Sequence, residues 1–181
     1  MSDSSHTSIL ENEGVMDTLK NKNFPNISLP NQDGNLLNLH RIDTFRMVLY
    51  FYPMTGRPDR PLPDNWNNIP GAKGCTIQTC SFRDNYDEII NLNAVPIGIS
   101  SQSIDDNKEM TSRLKVPYDV LSDEKLELSN ELNIPTFLVD SKIFLRRITL
   151  IVEKKIIKKV FYPINDINKH IEEVLKWLKE N

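Results

Sequence analysis

One run of apolar and aromatic residues, Arg46–Tyr52, stands out from an otherwise mixed chain and ends at Pro53. Because it has no polar face, the run predicts a central β-strand buried on both sides of a sheet. Four further segments have the composition of strands: Val95–Ile99, Val116–Leu121, Arg146–Glu153 and Lys155–Tyr162. The last two follow each other closely and predict an antiparallel hairpin. The Asp33-Gly34 pair predicts a second, shorter hairpin over residues 26–39.

The segments between these strands have apolar residues at helical spacing. The segments concerned are Thr76–Leu92, Ser103–Leu114, Asp123–Leu132 and Asn165–Lys179. Ser103 precedes the acids Asp105 and Asp106, which favours a helix start, and Asn165 is the expected N-cap of the last helix. Strands that alternate with helices predict the α/β fold class, with helices on both faces of a central sheet. The late hairpin makes that sheet mixed.

The length of 181 residues fits a single domain. The first 22 residues are polar and show no sustained pattern, which predicts a flexible N-terminal tail over 1–22 with a short helix around Ser8–Leu19. Residues 23–181 are then expected to form one domain. The segment 53–71 carries five of the eleven prolines, and irregular loops of this length inside a domain are usually functional or mobile.

The composition of the chain argues against some classes of binding partner. The chain is 39% hydrophobic and 26% charged, with a net charge of −3, so nothing favours nucleic acid or an anionic membrane as a partner. No apolar run approaches the roughly 18 residues of a membrane span. The N-terminus has neither the cationic start nor the apolar core of a secretion signal, which predicts a cytoplasmic location.

The thiol inventory consists of Cys75 and Cys80. Two cysteines exclude a disulfide-stapled scaffold and an all-cysteine zinc site. The three histidines, His6, His40 and His170, lie far apart in sequence, so no metal site is expected. Four residues separate the cysteines, whereas a thioredoxin-type redox motif has two.

Cys75 lies where a Pro/Gly-rich loop meets a predicted helix. The unpaired N–H groups of a first helical turn stabilise a thiolate there, and a thiolate is the reactive form of cysteine. In a regular helix, five residues rise about 7.5 Å and turn about 140°, which puts the Cα atoms of Cys75 and Cys80 roughly 8.6 Å apart. A disulfide needs less than about 7 Å, so the helix has to unwind before these thiols can bond. The alternative is that both are inert, buried small residues.

Several segments around these cysteines form a characteristic set: Tyr50-Phe-Tyr-Pro53, Pro70-Gly-Ala-Lys-Gly-Cys75-Thr, Cys80-Ser-Phe-Arg-Asp84, Ile97–Gln102, Tyr118–Asp123 and Arg147-Ile-Thr149. Together they resemble the peroxiredoxins. The similarity is to the bacterioferritin-comigratory or Q-type branch, in which the resolving cysteine often lies five residues after the peroxidatic one. The resemblance extends from about Phe24 to the C-terminus.

This resemblance implies a thioredoxin-like fold and a thiol-dependent peroxidase. Cys75 would attack hydrogen peroxide or an organic hydroperoxide and become a sulfenic acid, which Cys80 would resolve as an intramolecular disulfide. Arg147 would be the active-site arginine that stabilises the thiolate and the peroxide oxygens. Thioredoxin or a similar dithiol would reduce the disulfide, no cofactor is expected, and the protein would be a monomer or weak homodimer.

The chain departs from the family pattern at the loop before Cys75. The family usually has a threonine or serine three residues before the peroxidatic cysteine and a proline four residues earlier, but this chain has Ala72 and Asn68. The hydroxyl of Thr55 or Thr76 is a possible substitute. Residues 54–69 resemble an insertion, in which Trp66 either caps the cysteine pocket or packs in the ordinary way.

Two other assignments stay open from the sequence. Arg146 adjoins Arg147, and on a strand their side chains would point to opposite faces. A second strand-like segment, Asn133-Ile-Pro135-Thr-Phe, resembles the same family motif but lacks an arginine. Two functional alternatives also remain: a redox sensor that signals through the same disulfide, and a non-catalytic thioredoxin-like binding module.

Overall fold

The structure is a computed structural model that describes residues 14–181. The strands in this part of the chain are β1 (Ser28–Pro30), β2 (Leu36–Asn38), β3 (Arg46–Phe51), β4 (Ala94–Ser100), β5 (Val120–Ser122), β6 (Thr136–Val139), β7 (Lys142–Leu145), β8 (Ile148–Glu153) and β9 (Ile156–Phe161). The helices are α1 (residues 14–19), α2 (Cys75–Asp84), α3 (Tyr86–Asn91), α4 (Ile104–Leu114), α5 (Glu127–Leu132) and α6 (Ile167–Glu180).

A five-stranded mixed sheet in the order β5-β4-β3-β8-β9 forms the centre of the molecule. Strand β3 pairs in parallel with β4 and antiparallel with β8, and all six of its residues are buried. The two-stranded sheets β1-β2 and β6-β7 lie outside this sheet. The prediction of a mixed α/β sheet around the apolar run is therefore confirmed.

Alternate residues of β3 enter two separate cores. Leu49 packs with α1 and α5 residues such as Leu19 and Leu128. Tyr50 belongs to a second cluster that includes residues of α2, α3, α4 and α6, among them Phe82 of α2. Because successive strand residues point to opposite faces, this division puts helices on both sides of the sheet, as predicted.

Several predicted boundaries differ from the structure. The helix expected over Thr76–Leu92 is two helices, α2 and α3, that meet at Asn85. The helix expected from Asp123 begins only at Glu127. The Asp123 carboxylate accepts hydrogen bonds from the backbone N–H groups of Leu128 and Ser129, so residues 123–126 form a turn in front of α5. The N-cap of α6 is Asp166 instead of Asn165, since Asp166 accepts from the first-turn N–H groups.

The described part of the predicted N-terminal tail, residues 14–22, is folded onto the domain. Leu19 at the end of α1 is 1% exposed and belongs to the core cluster. The backbone N–H of Asn21 donates to the Ile157 carbonyl at 2.8 Å. These contacts correct the predicted boundary at residue 22. Helix α1 is the second half of the helix expected around Ser8–Leu19, and residues 1–13 lie outside the described residues. None of the helices within residues 14–181 is both long and apolar enough to cross a membrane.

Candidate active site

The buried strand β3 leads through the loop of residues 52–74 to α2, whose first residue is Cys75. Gly74 precedes it at φ 98°, a left-handed conformation that glycine adopts without strain. A Cβ at this position would also collide with the Ile167 side chain at the start of α6. The positive φ and the close contact with α6 both favour glycine at this turn, which ends directly before Cys75 as the first residue of α2.

Arg147 brings a positive charge directly to that thiol. Its Nη2 lies 3.1 Å from Cys75 Sγ and also donates to the backbone carbonyls of Gly71 at 3.2 Å and Lys73 at 3.1 Å. Its Nη1 donates to Gln78 Oε1. Cys75 is 2% exposed and Arg147 is 4% exposed, so the interaction is little screened by solvent. Arg147 is therefore placed to stabilise negative charge on this sulfur.

Beneath Arg147 lies His170 of α6, whose Nε2 is 2.8 Å from Thr149 Oγ1. Burial and, to a smaller extent, the positive charge of Arg147 lower the pKa of His170 to about 4. His170 is therefore neutral at neutral pH and adds no second cation beneath the arginine.

Cys80 lies on the same helix as Cys75, and both are free thiols. Cys80 is half-buried, whereas Cys75 is buried. Ideal helix geometry separates their Cα atoms by roughly 8.6 Å, which is too far for a disulfide. The structure thus holds both cysteines in a helix that has to open before they can bond.

The structure also shows where the residues lie whose roles the sequence did not decide. Arg146 lies over the Phe137 ring, with 5.4 Å from its Cζ to the ring centroid. The Thr55 hydroxyl donates to Gln102 Oε1 at 3.2 Å, so it is engaged away from Cys75. Thr76 is half-buried next to Cys75 on α2. Arg147 is therefore the one of the two arginines that reaches the thiol.

Ala72 and Trp66 form part of a small apolar cluster. Ala72 is fully buried and belongs to the same cluster as Trp66 and Phe144. The rings of Trp66 and Phe144 pack edge to face, with 4.9 Å between their centroids. The Ala72 carbonyl accepts a hydrogen bond from Cys75 Sγ at 3.5 Å. Trp66 thus packs over the turn that precedes Cys75, and its role here is packing.

Gln78 is a site residue that the sequence interpretation missed. It is 1% exposed, its Oε1 accepts from Arg147, and its Nε2 has no hydrogen-bond partner among the described residues. The signal was its spacing, because a residue three positions after Cys75 on a helix lies on the same face. The pairing of β6 with β7 was not predicted, although Thr136 and Phe137 of the strand-like segment after Asn133 are the first two residues of β6.

A pocket of about 520 Å³ borders the site on the Arg147 side. Its apolar lining includes Phe137, Ile164 and Ile167, and its polar lining includes Arg147 and Lys73. Within residues 14–181, the structure brings together no group of three or more potential His, Cys, Asp or Glu metal ligands. The pocket is of a size that holds small organic molecules.

The family of this chain follows from its similarity to known proteins. The sequence model described as Redoxin matches residues 19–175, which is most of the chain. This chain is a peroxiredoxin of the redoxin family. The resemblance stated from the sequence motifs is thereby confirmed.

Named relatives of this peroxiredoxin include two plant proteins. It is 31% identical over 161 residues to "Peroxiredoxin Q, chloroplastic" of Arabidopsis thaliana, covering 88% of this chain and 67% of the relative. It is 30% identical over 156 residues to the protein of the same name from Populus jackii, covering 86% of this chain and 65% of the relative. The chain therefore spans about two thirds of the length of these relatives.

Solved structures agree on the fold of this peroxiredoxin. Peroxidoxin BcpB of Mycobacterium tuberculosis matches with a TM-score of 0.74 at 21% identity, covering 90% of this chain and 97% of that one. The bacterioferritin comigratory protein of Xanthomonas campestris, described for its alkyl peroxide reduction activity, matches with a TM-score of 0.71 at 18% identity, covering 90% and 96%. The predicted thioredoxin-like α/β fold is confirmed.

Proposed function

We propose that this chain is a thiol peroxidase in which Cys75 is the peroxidatic cysteine and Cys80 the resolving cysteine. The observation that carries the proposal is the contact of Arg147 Nη2 with Cys75 Sγ at 3.1 Å, at the first residue of α2. A buried guanidinium at this distance stabilises the thiolate, which is the nucleophile for peroxide attack. A non-catalytic binding module would not require a buried arginine in contact with a buried cysteine.

In the first step, the Cys75 thiolate attacks the terminal oxygen of the peroxide ROOH. The S–O bond forms as the O–O bond breaks, Cys75 is oxidised to the sulfenic acid, and the peroxide is reduced to ROH once the leaving oxygen takes a proton. Arg147 donates from two nitrogens that are already fixed by Gly71, Lys73 and Gln78, so it can stabilise the charge on the leaving oxygen without reorganising.

In the second step, the Cys80 thiol condenses with the sulfenic acid and water leaves. The first turns of α2 have to unwind because the intact helix holds the two Cα atoms too far apart. A thioredoxin-type dithiol then reduces the disulfide by thiol–disulfide exchange and is itself oxidised. The net reaction consumes one peroxide and one dithiol.

The pocket beside Arg147 supports organic hydroperoxides as substrates in addition to hydrogen peroxide. The side chains of Phe137, Ile164 and Ile167 give it an apolar wall that hydrogen peroxide does not need. The Xanthomonas campestris structural neighbour is described for alkyl peroxide reduction, which agrees with this proposal.

The cellular setting stays a prediction. The sequence predicts a cytoplasmic protein and a monomer or weak homodimer, whereas the named plant relatives are chloroplastic. Cell fractionation would test the location, and size-exclusion chromatography with light scattering would test the oligomeric state.

The experiment that tests the proposed function traps the intermediate in Cys80→Ser. Without the resolving thiol, one equivalent of hydrogen peroxide should still react, and the sulfenic acid on Cys75 should accumulate. Dimedone labelling followed by peptide mass spectrometry should give an adduct on Cys75. The control is the double variant Cys75→Ser/Cys80→Ser, which should give none.

Wild-type turnover separates the peroxidase from the redox sensor. With thioredoxin, thioredoxin reductase and NADPH, a peroxidase consumes many equivalents of peroxide, whereas a sensor stalls after about one. The absence of a Cys75 adduct in Cys80→Ser, or stalling of the wild type after one equivalent, would contradict the proposed function.

A further inference from the structure

Two buried phenols lie under α2, between this helix and the central sheet. Tyr118 Oη donates to the backbone carbonyl of Thr79 at 2.9 Å, and Tyr118 Oη and Tyr50 Oη are 2.8 Å apart. Tyr50 Oη also lies 3.5 Å from Thr79 Oγ1. The peroxide step described above uses neither phenol.

The position of the Thr79 carbonyl makes this contact relevant to the proposed chemistry. Thr79 directly precedes Cys80 in the chain, so the Thr79 carbonyl belongs to the peptide unit that carries Cys80. This peptide unit has to move if Cys80 is to approach Cys75. The hydrogen bond from Tyr118 therefore holds the very part of α2 that the disulfide has to displace.

Burial makes the contact costly to break. Thr79 and Tyr50 are fully buried, and Tyr118 is 5% exposed, so water does not readily replace a lost partner. Burial also raises the pKa of Tyr50 and Tyr118, so both hydroxyls stay protonated and remain able to donate.

The surrounding structure holds the phenols in place. Tyr50 stacks on Phe82 of α2 with 4.4 Å between ring centroids. Gly98 on β4 leaves room for the Tyr50 hydroxyl, because a Cβ there would lie 2.8 Å from Tyr50 Oη. Tyr118 lies just before β5, so the pair connects the sheet to the carbonyl before Cys80.

We propose that Tyr118, supported by Tyr50, is a positioning residue that holds α2 closed and thereby limits the rate at which Cys80 resolves the Cys75 sulfenic acid. The inference rests on the proposed peroxidase function. A slower opening prolongs the life of the sulfenic acid, so it also gives a second peroxide molecule more time to oxidise Cys75 to the sulfinic acid. Tyr118 forms its hydrogen bonds with Tyr50 and with the Thr79 carbonyl, so it acts on the cysteines through the helix.

The test is Tyr118→Phe, which removes one hydroxyl and keeps the ring. Loss of one buried hydrogen bond shifts a local opening equilibrium by about three- to tenfold, so disulfide formation should accelerate by that factor. Rapid mixing with one equivalent of hydrogen peroxide, acid quenching and thiol alkylation would follow sulfenic acid and disulfide over time. The fraction of sulfinic acid formed at high peroxide should fall by a similar factor.

Two comparisons separate this role from a general loss of packing. Tyr86→Phe changes a half-buried tyrosine on α3 that stacks on Tyr118, and its disulfide formation rate should equal that of the wild type. Tyr50→Phe keeps the bond from Tyr118 to Thr79, so its acceleration should be smaller than that of Tyr118→Phe.

The outcomes distinguish the inference from the proposed function. If wild-type protein forms no disulfide with peroxide, the proposed function fails and the inference fails with it. If the disulfide forms but Tyr118→Phe resolves at the wild-type rate, or no faster than Tyr86→Phe, the inference alone is overturned. An equal acceleration in Tyr50→Phe and Tyr118→Phe would also overturn it, because the effect would then come from the core in general.

Discussion

Replacement of Cys75 by serine should abolish peroxide reduction, with a loss of about 10³-fold or more. Only a thiolate has the nucleophilicity to attack the O–O bond at neutral pH, and a serine hydroxyl is not ionised under these conditions. The fold should survive, because serine is nearly isosteric and Cys75 lies at the end of a helix. The measurement is NADPH consumption coupled to thioredoxin and thioredoxin reductase.

The matched control for this variant is Cys80→Ser, with the loss of hydrogen peroxide measured directly for both variants in the absence of reductant. It should consume about one equivalent of peroxide, whereas Cys75→Ser should consume none. If Cys75→Ser retained more than a few per cent of wild-type turnover, Cys75 would not be the nucleophile.

Replacement of Arg147 by alanine should slow the peroxide step by roughly 10²-fold, the scale of losing one charge-stabilising donor at a buried site. The variant removes the guanidinium that lies 3.1 Å from Cys75 Sγ, and it leaves the carbonyls of Gly71 and Lys73 without their donor. Arg147→Lys should recover part of the rate, because lysine keeps the charge but loses the planar fork. Stopped-flow measurement of the second-order rate constant with hydrogen peroxide would report both.

Arg41→Ala provides the control for charge alone, since Arg41 is exposed in a short 3₁₀ helix outside the site. Its rate constant should equal that of the wild type. An unchanged rate in Arg147→Ala would contradict the role assigned here, and a large loss in Arg146→Ala with little loss in Arg147→Ala would move that role to the neighbouring arginine.

The sequence was sufficient for the parts of the fold in which one local signal dominates. The run Arg46–Tyr52 is apolar on both faces, and this pattern predicted the central strand correctly. The break between α2 and α3 was not predictable in this way, because Tyr86 and Ile89 continue the apolar spacing past Asn85. The β6-β7 hairpin was missed because its strands have four residues each and expose Leu138 and Ile143.

The candidate site was likewise predictable only in the part that local sequence signals determine. The sequence singled out Cys75 and Cys80 as candidates, but the roles predicted for them, and the choice of Arg147 over Arg146, came from the resemblance to the family. No local pattern states that Arg147 would cross to the start of α2, since that contact joins residues 72 positions apart. The engagement of the Thr55 hydroxyl by Gln102 likewise depends on tertiary packing.

The proposed mechanism requires that peroxide oxidise Cys75 and that Cys75 and Cys80 then form an intramolecular disulfide as α2 unwinds. Hydrogen exchange with mass spectrometry, on reduced protein and on protein treated with one equivalent of hydrogen peroxide, tests it most directly. We expect the oxidised chain to lose two hydrogens and to form no disulfide with a second chain. We also expect its amide hydrogens to exchange faster over residues 75–83 but not over β3. Equal protection of residues 75–83 in both states, or a disulfide between two chains, would contradict it.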